Sequence, residues 1–311
     1  MLNTTLMGAS LYVPANHKDL ADIANGDKLQ NARSLIFCTE DSVADSELSY
    51  ALFNLSVALL NMRPDATAER FVRVRNPEVM ARVLAMPGAD KLIGFVIPKA
   101  TRYNFNSYFR QVRDTRHLLM PTLETAEVFN DWEMRQFRRM LEAPGIRSRI
   151  LALRIGGNDL LALLGLRRPR NMTLYQTPLG AVIARLVTTF RPYGFLLTAP
   201  VFEHMDNPDL LDLEVEEDLV YGMVGKTAIH PDQIALIERH YRVRSNDLEA
   251  ARAILDVDCP AVFKMHDSMC EVATHRAWAE RTVAQASVFG AQHHEELLAE
   301  RVRSMGAEPA A

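Results

Sequence analysis

Short runs dense in Val, Ile, Leu and Phe alternate along the chain with longer stretches in which apolar residues recur at helical spacing. The runs are apolar at nearly every position and close on polar, Gly or Pro residues, as strands buried on both faces of a parallel sheet do. Eight occur in order: "SLYVP" (10–14), "SLIFCTE" (34–40), "RFVRVRN" (70–76), "KLIGFVIPK" (91–99), "HLLMPTLE" (117–124), "RILALRIGG" (149–157), "GFLLTAPV" (194–201) and "GKTAI" (225–229). Helical patterns separate them, among them "HKDLADIANGDKLQNA", "PEVMARVLAMPG", "TAEVFNDWEMRQFRRMLEAPG" and "PLGAVIARLVTTFRPYG", the last stopped by Gly194. Eight strands alternating with helices over about 235 residues predict a (β/α)8 TIM barrel. The short first and last runs leave a doubly wound open sheet as the alternative. No GxGxxG or GxxxxGK(S/T) follows any strand, however, to cradle a nucleotide phosphate there.

After residue 245 the pattern changes to "DLEAARAIL", "AVFKMHDSM" and the long helical "CEVATHRAWAERTVAQASVFGAQHHEELLAERVRSM". The barrel is therefore expected over 1–245, with a C-terminal helical extension over 246–311 packing on the barrel or on a neighbouring subunit. The only low-complexity segment is the tail "GAEPAA". At 311 residues and 48% hydrophobic, the chain can bury one large core and an appendage. Its 35 basic and 39 acidic residues give a formal net charge of −4, with no Lys/Arg cluster that would track a phosphate backbone, which argues against nucleic acid. Cys38, Cys259 and Cys270 have neither disulfide-framework nor zinc spacing, and a reducing cytoplasm is expected. The N-terminus lacks a basic start, and no segment reaches the roughly 18 uncharged apolar residues of a membrane span, so a soluble, unprocessed protein is expected.

In such a barrel the active site forms where the strands finish. Here those ends carry Glu40 and Asp41, Arg73 and Arg75, Lys99, Glu124, and Asp159 within "GGND". Glu124 and Asp159, on neighbouring strands, offer hard oxygen ligands for Mg²⁺. An inward-facing Arg on the third strand would hold an acidic substrate. Such a metal polarises a 2-keto acid and stabilises an enolate, the intermediate of aldol or Claisen-type cleavage. Each residue also has a plainer reading. Glu124 suits the dipole of the helix after it, Asp159 suits a helix cap, and Glu40 and Asp41 suit a solvated first turn. Arg73 and Arg75 suit structural ion pairs, and Lys99 suits neutralising the acids around it. His266 and Asp267 read as a polar surface turn between helices, and His293 and His294 as a solvated helical face.

Taken together, these motifs resemble the citrate lyase beta-subunit branch of the HpcH/HpaI aldolase superfamily, which includes malyl-CoA lyases. "LYVPANHKD" is similar to that family's "LYVPGNRPD", "CTEDSVAD" to "DLEDAV", "FVRVRNP" to "VRVN" and "GFVIPKA" to "LPKV". "PTLETAEVF" is similar to "PLIETARGV", "IGGNDLLALLGL" to "LGAEDLAADLG" and "GKTAIHPDQI" to "GKLAIHPDQI". The resemblance implies an Mg²⁺-dependent barrel, with Mn²⁺ as a substitute, in which Glu124 and Asp159 match the metal ligands. Arg73 matches the substrate arginine with Arg75 as its rival, Glu40 and Asp41 match the acidic pair supporting the metal's water shell, and Lys99 matches the lysine near the mouth. "VFKMHDSMCEVATHRAWAER" resembles a diverged "VVDGRMIDRPHLRRAER", making Asp267 a candidate acid or base supplied across an interface in a homo-oligomer, trimeric or hexameric. His17 stands where the family has arginine, and Cys38 where it has aspartate, so use of a coenzyme A or acyl-carrier thioester stays open. The expected activity is Mg²⁺-dependent carbon–carbon cleavage or formation in a small hydroxy-acid, keto-acid or acyl thioester through a metal-stabilised enolate. Thioester hydrolysis on the same metal site and a non-catalytic assembly subunit are the alternatives; the metal pair argues against the second.

Overall fold

The computed structural model of the chain describes residues 7–292, so His293, His294 and the tail "GAEPAA" lie outside the described residues. Eight parallel strands form one sheet: β1 Gly8–Pro14, β2 Ser34–Cys38, β3 Glu69–Arg73, β4 Gly94–Ile97, β5 Leu118–Leu123, β6 Leu153–Ile155, β7 Leu197–Thr198 and β8 Gly225–Ala228. Their order is β7-β6-β5-β4-β3-β2-β1-β8, and a parallel bridge between Ala199 and Lys226 joins the two ends. The backbone bonds Ala199 N–H to Gly225 O (2.8 Å) and Val224 N–H to Leu197 O (2.9 Å) close the ring. The eight apolar runs are thus the eight strands of a (β/α)8 barrel. Inside it, Ile36, Phe71, Val96, Met120 and Ala152 pack as one core layer.

β1 starts two residues before its run, at Gly8, whereas the other seven strands are shorter than theirs because ladder pairing gives way to loops at one or both ends. Two predicted helices are also trimmed by local chemistry. The first survives only as Leu20–Asn25, ended by Gly26 at φ 75°, a conformation that favours glycine. The stretch after Glu124 divides into a 3₁₀ turn, Ala126–Phe129, and a helix, Asp131–Leu141. The division falls at Asn130, whose side chain accepts from the N–H groups of Trp132 and Glu133 and caps the second piece.

The chain divides into two compact units, residues 7–237 forming the barrel and a second unit beginning at Glu238. The second contains helices Ser245–Leu255 and Val272–Phe289 around Ala251, Ile254, Cys270 and Ala279, and a hairpin of strands Val262–Met265 and Ser268–Glu271. The turn carrying His266 and Asp267 therefore joins strands rather than helices, because "VFKM" and "SMCE" pair across a two-residue loop. Both loop residues are left-handed, at φ 46° and 59°, as a type I′ turn requires. All three cysteines are free. No helix among the described residues is long and apolar enough to cross a membrane.

Strand β8 is fastened to the helical layer by charge. Lys226 is fully buried, its Nζ 2.9 Å from Glu214 Oε1 and 2.8 Å from Asp218 Oδ2, both on helix Pro208–Val220. Arg168 also pairs with Glu214, so two cations balance two carboxylates away from water. Removing one member strands a buried charge. Lys226→Met is expected to cost about 3–5 kcal/mol in urea unfolding, and adding Asp218→Asn, which restores neutrality, should return part of that loss.

Candidate active site

Six of the residues singled out at strand ends meet at the C-terminal mouth of the barrel. Glu40 and Asp41 follow β2, Arg73 ends β3, Lys99 follows β4, Glu124 follows β5, and Asp159 lies in helix Gly157–Leu163 after β6. Arg73 is the hub. Its Nη2 lies 2.8 Å from Glu40 Oε2, 2.9 Å from Asp41 Oδ2 and 3.2 Å from Glu124 Oε1. Lys99 Nζ is 2.9 Å from Glu40 Oε1, 3.4 Å from Asp41 Oδ1 and 3.7 Å from Asp159 Oδ1.

The backbone around the site is shaped to permit this. Lys99 is held at φ 48°, a left-handed conformation unusual for a side chain-bearing residue, and its N–H donates to Glu124 Oε1 at 2.8 Å. Gly156, at the end of β6, lies flush against the Glu124 carboxylate, which a Cβ there would overlap. Glu124 is 4% exposed, and burial pushes its pKa up to about 6, with Asp159 adding to the rise and Arg73 and the Lys99 N–H opposing it. Glu40 is also pushed up, by burial and then by its hydrogen bond with Asp41. For Asp41, burial is outweighed by Glu40, Arg73 and Lys99, which hold it low.

Arg75 does not join them. Beyond the end of β3, its guanidinium reaches the carbonyls of Thr39, Glu40 and Val43 and the carboxylate of Asp45, bracing the loop that carries the acidic pair. Asp267 sits in the second unit, exposed at its hairpin tip and paired with Lys264 at 2.7 Å. Two inward-facing residues below the cluster were not singled out in the sequence: Tyr12 on β1 and Arg154 on β6. The Arg73 and Arg154 guanidinium carbons lie 5.9 and 5.5 Å from the centre of the Tyr12 ring. Burial raises the Tyr12 hydroxyl pKa against the pull of the two arginines. A charged residue inside the otherwise apolar "LALRI" was the one available signal for Arg154.

Four carboxylates thus face two cations, a formal surplus of two negative charges when all are ionised. Oxygen donors with that surplus fit a hard divalent cation held by two protein carboxylates, with water and substrate oxygens completing its shell. Among the described residues no group of three or more His, Cys, Asp and Glu side chains is placed to hold a metal ion. Arg73 makes its three carboxylate contacts through one nitrogen, and its Nε is buried without a partner.

A family model described as C-C bond lyase of the TIM-barrel fold matches residues 1–291. The citrate lyase subunit beta-like protein of Deinococcus radiodurans is 27% identical over 179 residues, 57% of this chain and 58% of that protein, so the match spans less than two thirds of that relative. Mitochondrial citramalyl-CoA lyase of Mus musculus is 23% identical over 277 residues, 84% of this chain and 77% of that one. Among solved structures, protein CitE of Mycobacterium tuberculosis in complex with magnesium, acetoacetate and coenzyme A aligns with a TM-score of 0.66 at 19% identity, covering 91% of this chain and 99% of that chain. The magnesium/glyoxylate complex of Haloferax volcanii malate synthase aligns with a TM-score of 0.64 at 13% identity, covering 75% and 74%. At these identities the structural likeness speaks for the barrel fold.

The raised Glu124 pKa fixes the sign of a pH effect. Between its ordinary 4.5 and about 6 the folded state holds a proton that the unfolded state has released, so Glu124 lowers stability as pH rises through that window. In metal-free protein, urea unfolding should show wild type losing on the order of 2 kcal/mol more than Glu124→Gln between pH 4.5 and 7. Identical slopes would refute the burial argument.

Proposed function

The chain belongs to the carbon–carbon bond lyase family of the TIM-barrel fold, and on that premise we propose that it is an Mg²⁺-dependent lyase acting on a small hydroxy-acid, keto-acid or acyl thioester. The observation that carries this reading is the carboxylate surplus at the mouth, gathered at a cost in burial that an ordinary ion-pair network would avoid by matching its charges. Glu124 and Asp159 would hold the ion. When bound, Mg²⁺ supplies Lewis-acid polarisation of a 2-oxo acid's oxygens. Mn²⁺ is expected to replace it.

The remaining roles belong to this chain's own side chains. Arg73, with its unpartnered Nε, orients a substrate carboxylate and lends positive charge where an enolate oxygen develops. Lys99 keeps Glu40 and Asp41 in place, and these acids order water beside the reacting carbons. In the cleavage direction a base takes the hydroxyl proton, the O–H electron pair becomes the new carbonyl π bond, and the C–C pair passes to the departing acyl carbon as an enolate, which is then protonated. Asp267, on its exposed hairpin, is proposed as that acid or base, reaching the site of another copy in a cytoplasmic homo-oligomer. A small acidic molecule is the expected partner; a coenzyme A thioester is an option that the His17 and Cys38 positions leave open.

Mg²⁺ with pyruvate or oxalate should raise the melting temperature of wild type, because ligands confined to the native state stabilise it by mass action. Glu124→Gln and Asp159→Asn should each weaken Mg²⁺ binding by at least about tenfold and suppress that rise. An unchanged rise in Glu124→Gln would remove the metal assignment. A lyase should also exchange the methyl protons of pyruvate or of an acyl thioester with deuterated water, whereas hydrolysis of the thioester without exchange would favour the hydrolase.

A further inference from the structure

Beneath the carboxylate cluster, the lumen of the barrel holds a second guanidinium. Arg154 is 2% exposed, and on β6 it shares the inward face of Ala152. Its Nη2 donates to Thr227 Oγ1 at 2.6 Å, its Nη1 lies 4.0 Å from Met120 Sδ, and its charge lies against the Tyr12 ring. Among the described residues, no carboxylate pairs with it. Most other buried cations of the barrel meet a carboxylate: Lys226 meets Glu214 and Asp218, Arg168 meets Glu214, Arg138 meets Glu142, and the half-buried Arg73 meets three acids, while Arg70, on β3, donates instead to the backbone carbonyls of Ala24 and Arg63.

An arginine cannot escape such a position by giving up its proton. Holding a charge out of water with only a hydroxyl, a thioether and a ring for company is costly. The surrounding wall is also polar and unspent. Thr122 and Thr198 are the ladder neighbours of Arg154 on β5 and β7, and Ser10 is the ladder neighbour of both Thr227 and Ser34. The side-chain oxygens of Ser10, Ser34, Thr122 and Thr198 are all buried without a hydrogen-bond partner. A fixed cation flanked on both neighbouring strands by free hydroxyl donors, Thr122 and Thr198, is the composition of an anion receptor. Tyr12 offers its ring to both guanidiniums, 5.5 Å from that of Arg154 and 5.9 Å from that of Arg73, so the two cations adjoin one side chain.

We propose that Arg154, with Thr122 and Thr198, binds a second carboxylate of the substrate, so that the 2-oxo acid handled at the mouth is a dicarboxylate whose tail points into the barrel. This rests on the lyase reading above and narrows its substrate class. Arg154 is then a specificity-determining residue: a tail without charge leaves its guanidinium unanswered, and discrimination follows from that unpaired buried group.

The test is isothermal titration of the full-length protein with pyruvate, oxaloacetate, 2-oxoglutarate and the neutral-tailed 2-oxohexanoate, with Mg²⁺ and again with EDTA. In wild type at least one dicarboxylate should bind about tenfold or more tightly than 2-oxohexanoate. In Arg154→Met that ratio should fall to below about twofold, and Arg154→Lys, which keeps the charge but not the fork, should give an intermediate ratio. Circular dichroism and melting temperature report whether the variants fold; if Arg154→Met does not, the Arg154→Lys ratio decides. A wild type that binds no dicarboxylate preferentially, or a preference surviving in Arg154→Met, overturns the inference and leaves the lumen a water-filled polar core. Binding that is equal with EDTA sinks the metal reading instead, while the Arg154-dependent ratio still judges the inference.

Discussion

The terminal nitrogen of Arg73 meets carboxylates from two strand ends at once, and the geometry of the mouth follows from that contact. Glu40 and Asp41 come from the end of β2, Glu124 from the end of β5, and only a sheet that curls on itself brings those ends to one guanidinium. Lys99 repeats the pattern from the end of β4, reaching toward the acidic pair on one side and Asp159 on the other. Even so, four acids are not neutralised by two bases. Closing the barrel therefore gathers an uncompensated negative charge at its C-terminal end, and a divalent cation is the simplest species to answer it.

Charge is handled differently elsewhere in the same barrel. Around Lys226, two cations and two carboxylates balance, and the group fastens β8 to the helix that packs on it. At the mouth the balance is withheld, Glu124 is left with a raised pKa, and Lys99 is kept in a left-handed backbone conformation. Below the mouth the imbalance has the opposite sign, with the Arg154 guanidinium lacking an acid and the nearby hydroxyls lacking partners. An excess of negative charge above an unanswered positive charge suits a ligand that brings a metal ion at one end and an anion at the other.

Much of this was legible in the chain. Continuous apolar runs closing on polar residues identify buried parallel strands without reference to tertiary contacts, so the strand count and the barrel could be read directly. The acids at the strand ends stood out because a carboxylate at the edge of a buried run is conspicuous. Arg73 and Arg75 could not be separated, since both share one strand parity. What divides them is that β3 stops at Arg73 and leaves Arg75 to brace the next loop. The turn at His266 and Asp267 was misplaced between helices because "VFKM" and "SMCE" are too short to declare a hairpin by periodicity. Tyr12 carries no signal in the sequence beyond an aromatic within the first apolar run. Arg154 was hidden by its setting, because an apolar run reads as core even with one charged residue inside it; its place among unpartnered hydroxyls and its lack of a carboxylate appear only in the fold.

A crystal structure of the protein with Mg²⁺ and oxalate bears most directly on the central claim. The account predicts an ion contacted by oxygens of both Glu124 and Asp159, with oxalate on its open side facing Arg73. An ion held by neither carboxylate, or oxalate seated against Arg73 with no metal beside it, would contradict it.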